Sequence, residues 1–307
     1  MLVTMQPLRE ACAAVSERSE HVRIIPDAVT AYAAALPLPF AGWQRAALLP
    51  PPQREAAAAF WMALDAINFG SGWFPTLRKR PGLSGYNTIA TALEEHVTAD
   101  GPWTAAQLTT LRPAELAAIL GQDPDHELMV LYARSLNDLG RHVAQEHDGS
   151  FTAVVDAAGD SAVTLATRLG GWDCFADCSR YEEIRLPFLK RAQIAAADLQ
   201  RAGVAAFGDL RELTMFADNL VPHVLRLDGV LWFDPELVAR IERRELIAHD
   251  SSEEIEIRAC AVQAVELLTE EVGHSSSAAQ IDQLLWERGG QPRYKAVPRH
   301  RSRCTAY

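Results

Sequence analysis

The stretch "SSEEIEIRACAVQAVELLTEEVG" constrains the fold more than any other part of the chain. Ser251 and Glu254 stand in capping-box spacing at its start, and a glycine closes it, so the stretch is predicted to form one helix. Residues 259–268 are apolar on every face except at Gln263 and Glu266. Because a helix that is apolar all round is buried on all sides, the sequence predicts a central helix.

Most of the remaining chain also has helical periodicity. Apolar residues at three-to-four spacing mark one helix face in "ELMVLYARSLNDLGRHV", and "PFLKRAQIAAADLQRAG" shows a similar pattern. A second capping box, Ser277 with Gln280, opens "SSAAQIDQLLWERGG". The best strand signal is the short "GVLWF" after Asp228. We expect a mainly α, multi-helix globular fold with few short strands. No clean linker divides it, so residues 1–307 are predicted to form one domain, in which two helical lobes remain open.

Composition and charge exclude several functional classes. The net charge of −11 makes the chain a poor general binder of long nucleic acids, which bind mainly through phosphate neutralisation. There is no long apolar run for a membrane span, and the charged N-terminal stretch does not resemble a signal peptide. The five cysteines are scattered, which predicts a reduced, cytoplasmic compartment and no structural metal.

The familiar phosphate-binding and nucleophile motifs are absent from the sequence. There is no P-loop, Rossmann fingerprint, His-Glu-x-x-His motif or nucleophile elbow. The glycine-rich "FGSGW" follows a predicted helix rather than a strand, so it is predicted to be a helix-ending turn. What remains is a small set of carboxylates on apolar elements.

Two of these carboxylates are candidates for a site. Asp218 interrupts the apolar run "TMFADNLVPHVLR", and a buried carboxylate is costly unless something pairs with it. If the partner belongs to the protein, Asp218 is scaffolding; if not, it marks a binding site. Asp282 shares a helix face with Leu285 and Trp286. It either interacts with the helix dipole at the surface or faces a ligand as a desolvated carboxylate.

Five stretches in order along the chain together resemble the queuosine salvage protein family, the queuosine 5'-phosphate N-glycosylases. They are "ALDAINFGSGW", "FLKRAQIAAADL", "TMFAD", "EIRACAVQAVELL" and "VPRHRSRCTAY". The resemblance implies hydrolysis of the N-glycosidic bond of queuosine 5'-monophosphate without a cofactor, with release of queuine and ribose 5-phosphate. The queuine is then available for reinsertion into tRNA. The resemblance also implies a helical fold like that of helix-hairpin-helix DNA glycosylases.

The same resemblance assigns roles to individual residues. Asp282 is the expected catalytic carboxylate, acting as nucleophile or as stabiliser of the ribosyl cation. Phe216 is expected to stack on the base, and Asp218 to accept hydrogen bonds from its guanine-like edge. Gln283 and Glu287 are expected to contact the base, with Glu287 near the amine and cyclopentenediol of queuine.

The phosphate requires cations, and Lys190, on an amphipathic helix, is the first choice. Arg299 and His300 are further candidates, followed by Arg191, Arg301 and Arg303. Two departures from the family pattern affect the base site. Other members often carry a tyrosine directly after the catalytic aspartate, where this chain has Gln283. Some members have a histidine shortly after the tryptophan that matches Trp43, and this chain has none there.

Two other functions compete with this hypothesis. The first is a non-catalytic protein that binds queuine or a related 7-deazaguanine. Asp282 favours the enzyme, because base binding alone needs no carboxylate beside the ribose. The second is a DNA-lesion glycosylase, against which the net charge of −11 argues. The sequence therefore predicts a metal-independent nucleotide N-glycosidase, a monomer with small-molecule partners only.

Overall fold

The computed structural model describes residues 4–37 and 53–307, and helices dominate this part of the chain. The helices are α1 (Gln6–Arg18), α2 (Pro26–Ala35), α3 (Gln53–Ala66), α4 (Gly85–Asp100), α5 (Ala105–Thr110), α6 (Pro113–Leu120), α7 (Glu127–Glu146), α8 (Phe151–Asp156), α9 (Ala162–Leu169), α10 (Lys190–Arg201), α11 (Val221–Leu227), α12 (Pro235–Glu242), α13 (Ser252–Glu271), α14 (Ala278–Gly289) and α15 (Pro292–Lys295). The predicted mainly α fold is confirmed.

The strands of the described residues form two small antiparallel sheets. Strand β1 (Val22–Ile24) pairs with β4 (Leu231–Phe233), and β2 (Ser179–Tyr181) pairs with β3 (Ile184–Leu186). The stretch "GVLWF" therefore contains a strand as predicted. The hairpin of β2 and β3 was not predicted, because three-residue strands are too short to show an alternating pattern.

Helix α13 occupies the position that its sequence predicts. The hydroxyl of Ser251 accepts a hydrogen bond from the Glu254 amide at 3.3 Å and caps the helix. The helix packs against α1, α2, α11, α14 and β1. Its middle is buried on nearly every face, so the prediction of a central helix is confirmed.

Two hydrophobic cores meet beside the residues predicted to carry the function. One core draws on α3, α7, α9 and α10, and the other on α1, α11, α13 and α14. Phe216 and Ala279 pack in the first core, whereas their chain neighbours Met215 and Ala278 pack in the second. The segment around Phe216 and the start of α14 therefore lie at the junction of the cores. The expected single domain with two lobes stays a prediction.

Arg258 of α13 joins several separate segments at this junction. Its guanidinium is fully buried and pairs with both carboxylate oxygens of Asp177, at 2.9 and 2.7 Å. It also donates to the Ala217 carbonyl at 3.0 Å. The Phe188 and Tyr307 rings lie against it, with ring centroids 3.9 and 4.6 Å from the guanidinium carbon. The ion pair and these hydrogen bonds offset much of the cost of burying the charge, although Nη1 has no hydrogen-bond partner among the described residues.

No helix within residues 4–37 and 53–307 is long and apolar enough to cross a membrane. All five cysteines lie in the described part of the chain, and all are free thiols. Cys12, Cys174, Cys260 and Cys304 are buried and Cys178 is exposed.

We predict that Arg258→Met destabilises the protein severely, because the substitution leaves the buried carboxylate of Asp177 without its partner. Breaking a buried ion pair in this way typically costs about 3–5 kcal/mol. Urea unfolding followed by circular dichroism measures the loss. Arg80→Ala is the matched control, because its ion pair with Glu95 lies on the surface and the unfolding midpoint should barely move. Equal, small shifts for both variants would contradict the central role of Arg258.

Candidate active site

A cavity of about 550 Å³ lies beside the junction of the two cores. Its wall is formed by residues of α3, α4, α10 and α14, by residues 216–220 and by Arg299 and Tyr307. The volume lies in the usual range for small-molecule sites, roughly 300–1,000 Å³. The structure brings together seven predicted site residues in this lining: Asp282, Phe216, Asp218, Gln283, Glu287, Lys190 and Arg299. The other candidate cations lie outside it: His300, Arg191, Arg301 and Arg303.

Asp282 is a desolvated carboxylate that faces this cavity. The capping box of Ser277 and Gln280 starts α14 as predicted, and Asp282 follows on its second turn. Its side chain is 4% exposed and accepts a hydrogen bond from the Phe216 amide at 3.2 Å. Burial, reinforced by the nearby charge of Asp218, raises the pKa of Asp282 well above its usual range. This geometry fits the second of the two interpretations of Asp282, a carboxylate that faces a ligand.

The segment that carries Phe216 and Asp218 is fixed by buried hydrogen bonds. The Gln193 side chain accepts from the Thr214 amide and donates to the Thr214 hydroxyl, both at 2.9 Å. The Ala217 carbonyl is held by Arg258. Phe216 is consequently 6% exposed, with its ring against the cavity.

Asp218 is bound to the protein through one oxygen only. Its Oδ1 accepts hydrogen bonds from the amides of Leu220 and Val221, at 2.8 and 3.1 Å, just before and at the start of α11. The side chain is partly exposed, so the expectation of a fully buried carboxylate is wrong. Among the described residues no hydrogen bond reaches Oδ2. Asp218 therefore combines both roles considered for it, because one oxygen is scaffolding and the other is available to a ligand.

Lys190 is the first residue of α10, and it lines the cavity. The Asp177 carboxylate accepts a hydrogen bond from the Lys190 amide at 2.9 Å. The ammonium group donates to the carbonyl and the side-chain oxygen of Asn68, at 2.9 and 3.2 Å. Burial lowers the pKa of Lys190 to about 8, against the opposing charges of Asp218 and Asp65. An ammonium has three donors, so one remains for a ligand.

Gln283, Trp286 and Glu287 form the exposed part of the cavity wall on α14. The Gln283 amide donates to the Glu287 carboxylate at 2.9 Å. Trp286 is 40% exposed and lines the cavity one turn after Asp282, with which the sequence predicts a shared helix face. A large aromatic side chain left in contact with solvent beside a cavity is typical of a binding surface.

The predicted phosphate-binding cations separate into two groups. Arg299 lines the cavity, and its Nε has no hydrogen-bond partner among the described residues. His300 is buried outside the cavity wall, and burial lowers its pKa to about 3, so the ring is uncharged. The geometry thus gives no support to His300 as a phosphate ligand. Arg191 binds the carbonyls of Ala66 and Ala306, which makes it structural.

Several cavity residues were missed from the sequence. Trp61, Tyr86, Asp198 and Arg201 line the wall on α3, α4 and α10. Helical periodicity shows that one face of a helix is buried, but it does not show which other helix that face contacts. The sequence therefore could not assign these residues to the site. The turn "FGSGW" after α3 also lines the cavity through Phe69 and Ser71. Trp43, the site of a departure from the family pattern, lies outside the described residues.

One group of potential metal ligands occurs in the described part of the chain. Atoms of His249, Asp250 and Glu254 lie within 4.8 Å of one another, outside the cavity wall. Glu254 already forms ion pairs with His249 at 3.4 Å and with Arg258 at 3.7 Å. These cations compete with a metal ion for the same carboxylate. Metal-independent activity stays a prediction.

Comparison with known proteins gives a consistent family. A family model described as queuosine salvage protein matches residues 48–307. The chain is 36% identical to the queuosine 5'-phosphate N-glycosylase/hydrolase of Sphaerobacter thermophilus over 83% of this chain and 82% of that protein. It is 29% identical to the Bos taurus protein of the same name, over 97% and 98% of the two chains. It is 31% identical to the Dictyostelium discoideum protein of that name, over 82% and 79%. The chain therefore belongs to the queuosine salvage protein family.

Proposed function

We propose that this protein hydrolyses the N-glycosidic bond of queuosine 5'-phosphate and releases queuine and ribose 5-phosphate. The observation that carries the proposal is the position of Asp282. Its buried carboxylate lines the cavity and accepts a hydrogen bond from the Phe216 backbone amide. A protein that only binds the base needs no such carboxylate. The protein acts as a cytoplasmic monomer on the free nucleotide, and the released queuine returns to tRNA modification.

The base binds between Phe216 and Asp218 in this proposal. The Phe216 ring offers a stacking face, which is worth about 1–3 kcal/mol per base in other nucleobase sites. The free Oδ2 of Asp218 accepts hydrogen bonds from the guanine-like edge of queuine, and a charged acceptor strengthens such bonds. Because Oδ1 is fixed by two backbone amides, the carboxylate plane is set before the base arrives.

Asp282 acts on the sugar. Cleavage of the glycosidic bond develops positive charge on the ribose ring, as in other glycoside hydrolysis. The Phe216 amide holds the Asp282 carboxylate next to the base-stacking residue, so a ribose attached to that base lies beside it. A fixed carboxylate in a dry site stabilises the developing charge and can orient the attacking water.

The phosphate is held by Lys190 and Arg299. Lys190 is fixed by Asn68 and retains one N–H donor, and the Arg299 Nε has no partner among the described residues. Both cations line the cavity that contains Asp282. Phosphate binding energy can therefore be used to position the ribose against the catalytic carboxylate.

We predict that Asp282→Asn lowers queuine release from queuosine 5'-phosphate by at least about a hundredfold, because it removes the charge that stabilises the ribosyl cation. The amide keeps an oxygen for the Phe216 N–H, so queuine should bind as in the wild type. Chromatography of the products measures release, with lesion-bearing duplex DNA as a second substrate. A wild type that releases no queuine contradicts the proposed reaction, and a folded variant with normal turnover contradicts the role of Asp282.

The pH profile gives a second readout of Asp282. The working form is the carboxylate, and its pKa is raised in the free protein. The profile of kcat/KM against pH reports groups of the free enzyme. We expect kcat/KM to fall as the pH drops through this raised pKa. The fall should occur at a higher pH than for an ordinary aspartate, whose pKa is about 4. A fall only at the ordinary value would contradict the desolvated site.

We predict that Phe216→Ala and Asp218→Asn both weaken queuine binding. The first variant removes the stacking face, and the second replaces the free Oδ2 acceptor by an N–H donor that repels the base edge. Asparagine is the better test than alanine, because Asp218→Ala also removes the two backbone hydrogen bonds of Oδ1, each typically worth about 0.5–1.5 kcal/mol. Titration calorimetry measures affinity, and unchanged affinity in both variants would refute the base pocket.

We predict that Lys190→Ala and Arg299→Ala reduce kcat/KM for queuosine 5'-phosphate much more than for queuosine. A charge-assisted contact is typically worth about 1.5–3 kcal/mol, which corresponds to roughly one to two powers of ten. Lys295→Ala is the control, because this lysine lies exposed on the cavity wall and contacts through water are screened. If a variant slows both substrates equally, that residue is structural and the phosphate is held elsewhere.

A further inference from the structure

A second group of ionisable and aromatic side chains lines the same cavity and has no part in the steps above. Asp198 and Arg201 of α10, Trp61 of α3 and Tyr86 of α4 contribute to this wall. We call these four residues the α10 subsite. Asp65 lies behind them, where its charge acts on both Asp198 and Tyr86.

The carboxyl groups at the α10 subsite are unusually desolvated. Asp198 is 8% exposed. Asp65 is 0% exposed, and neither of its oxygens has a hydrogen-bond partner among the described residues. Burial raises the pKa of Asp198 to about 6, against the opposing charges of Arg201 and Lys190. Burying carboxyl groups without full pairing costs stability, and of these two only Asp198 lines the cavity, where a ligand cation can pair with it.

The chain itself shows which kind of ligand group the subsite accepts. The Arg201 guanidinium pairs with Asp198 at 2.8 Å and lies over the Trp61 ring, 5.5 Å from its centroid. A carboxylate and an aromatic face together form a site for an organic cation. The Arg201 side chain is 46% exposed, so it can move into solvent when another cation arrives.

We propose that the α10 subsite binds the protonated amine of the side chain that distinguishes queuine from a plain 7-deazaguanine. This inference rests on the proposed function and names the residue that sets its specificity, Asp198. The ammonium takes the place of the Arg201 guanidinium, donates to the Asp198 carboxylate and lies against the Trp61 ring. Asp65 does not touch the ligand, because it is fully buried behind this wall.

Asp198 is better suited to this contact than Glu287, which the family resemblance places near the amine. Glu287 is exposed and already accepts a hydrogen bond from Gln283. A charge pair in contact with water contributes little, whereas the same pair at a desolvated wall is stronger because the local dielectric is lower. The selectivity for the amine is therefore assigned to the buried carboxylate.

The test compares the binding of queuine and 7-deazaguanine by titration calorimetry. Asp198→Asn keeps an oxygen for Arg201 but removes the charge. It should weaken queuine binding by about 10- to 100-fold, which is typical of a charged contact, and leave 7-deazaguanine binding unchanged. Glu94→Gln is the matched control, because it neutralises an exposed carboxylate on the same cavity wall and should not change the preference.

Three results would overturn the inference. In the first, Asp198→Asn weakens the binding of both bases equally or of neither. In the second, Glu287→Gln alone produces the selective loss of queuine binding. In the third, the wild type does not bind queuine more tightly than 7-deazaguanine. If Asp198→Asn does not fold by circular dichroism, Trp61→Leu replaces it, and the same selective loss is expected. A wild type that binds neither base fails the proposed function itself, whereas normal queuine release with no effect at Asp198 fails only this inference.

Discussion

The rest of the structure depends on the buried ion pair and hydrogen bonds of the Arg258 guanidinium. Three of its contacts lead to the wall of the cavity. Asp177, its ion-pair partner, also accepts the Lys190 amide and so fixes the start of α10. The Ala217 carbonyl holds the segment between Phe216 and Asp218 in place. Tyr307, which stacks on Arg258, lines the cavity as well. A single charge on the central helix thus positions groups that are distant in sequence.

The cavity assembled in this way has more acid than base, which fits a reaction on a cationic sugar. Asp282, Asp218, Asp198 and Asp65 lie in or behind its wall, and Lys190 is close enough to weaken the proton affinity of three of them. The site therefore carries carboxyl groups whose repulsion and desolvation oppose folding. Such local destabilisation is common where groups are arranged for function. The ion pair of Arg258 with Asp177 stabilises the segments that carry these carboxyl groups.

Local signals in the sequence predict much of the fold and part of the site. The Ser251 cap of α13, the capping box before α14 and the all-round apolar middle of α13 are confirmed, because caps and periodicity act within a few residues. The second bond of a box at α13 is absent, since the Glu254 carboxylate accepts from the Asp250 amide instead of the Ser251 amide. Family resemblance places Phe216, Asp218 and Asp282 in one cavity, and the structure brings them together.

What the sequence could not predict depends on long-range packing. Asp65 and Asp198 lie on different helices, and nothing in either helix shows that the two carboxyl groups meet. Asp218 accepts hydrogen bonds from the Leu220 and Val221 amides in a local turn. The apolar residues around Asp218 gave no indication of this turn. The basic composition around His300 predicts a cationic phosphate ligand. Burial lowers the pKa of this histidine and leaves the ring neutral, and composition does not reveal that burial.

The most direct test of the account is a crystal structure of the Asp282→Asn variant with queuosine 5'-phosphate bound. The account predicts an intact nucleotide with its base on the Phe216 ring and its guanine-like edge on Oδ2 of Asp218. The anomeric carbon should lie in contact with the side chain of residue 282, and the phosphate beside Lys190 and Arg299. A nucleotide whose ribose lies away from residue 282, or whose base edge faces another group, would contradict the assignment of the cavity.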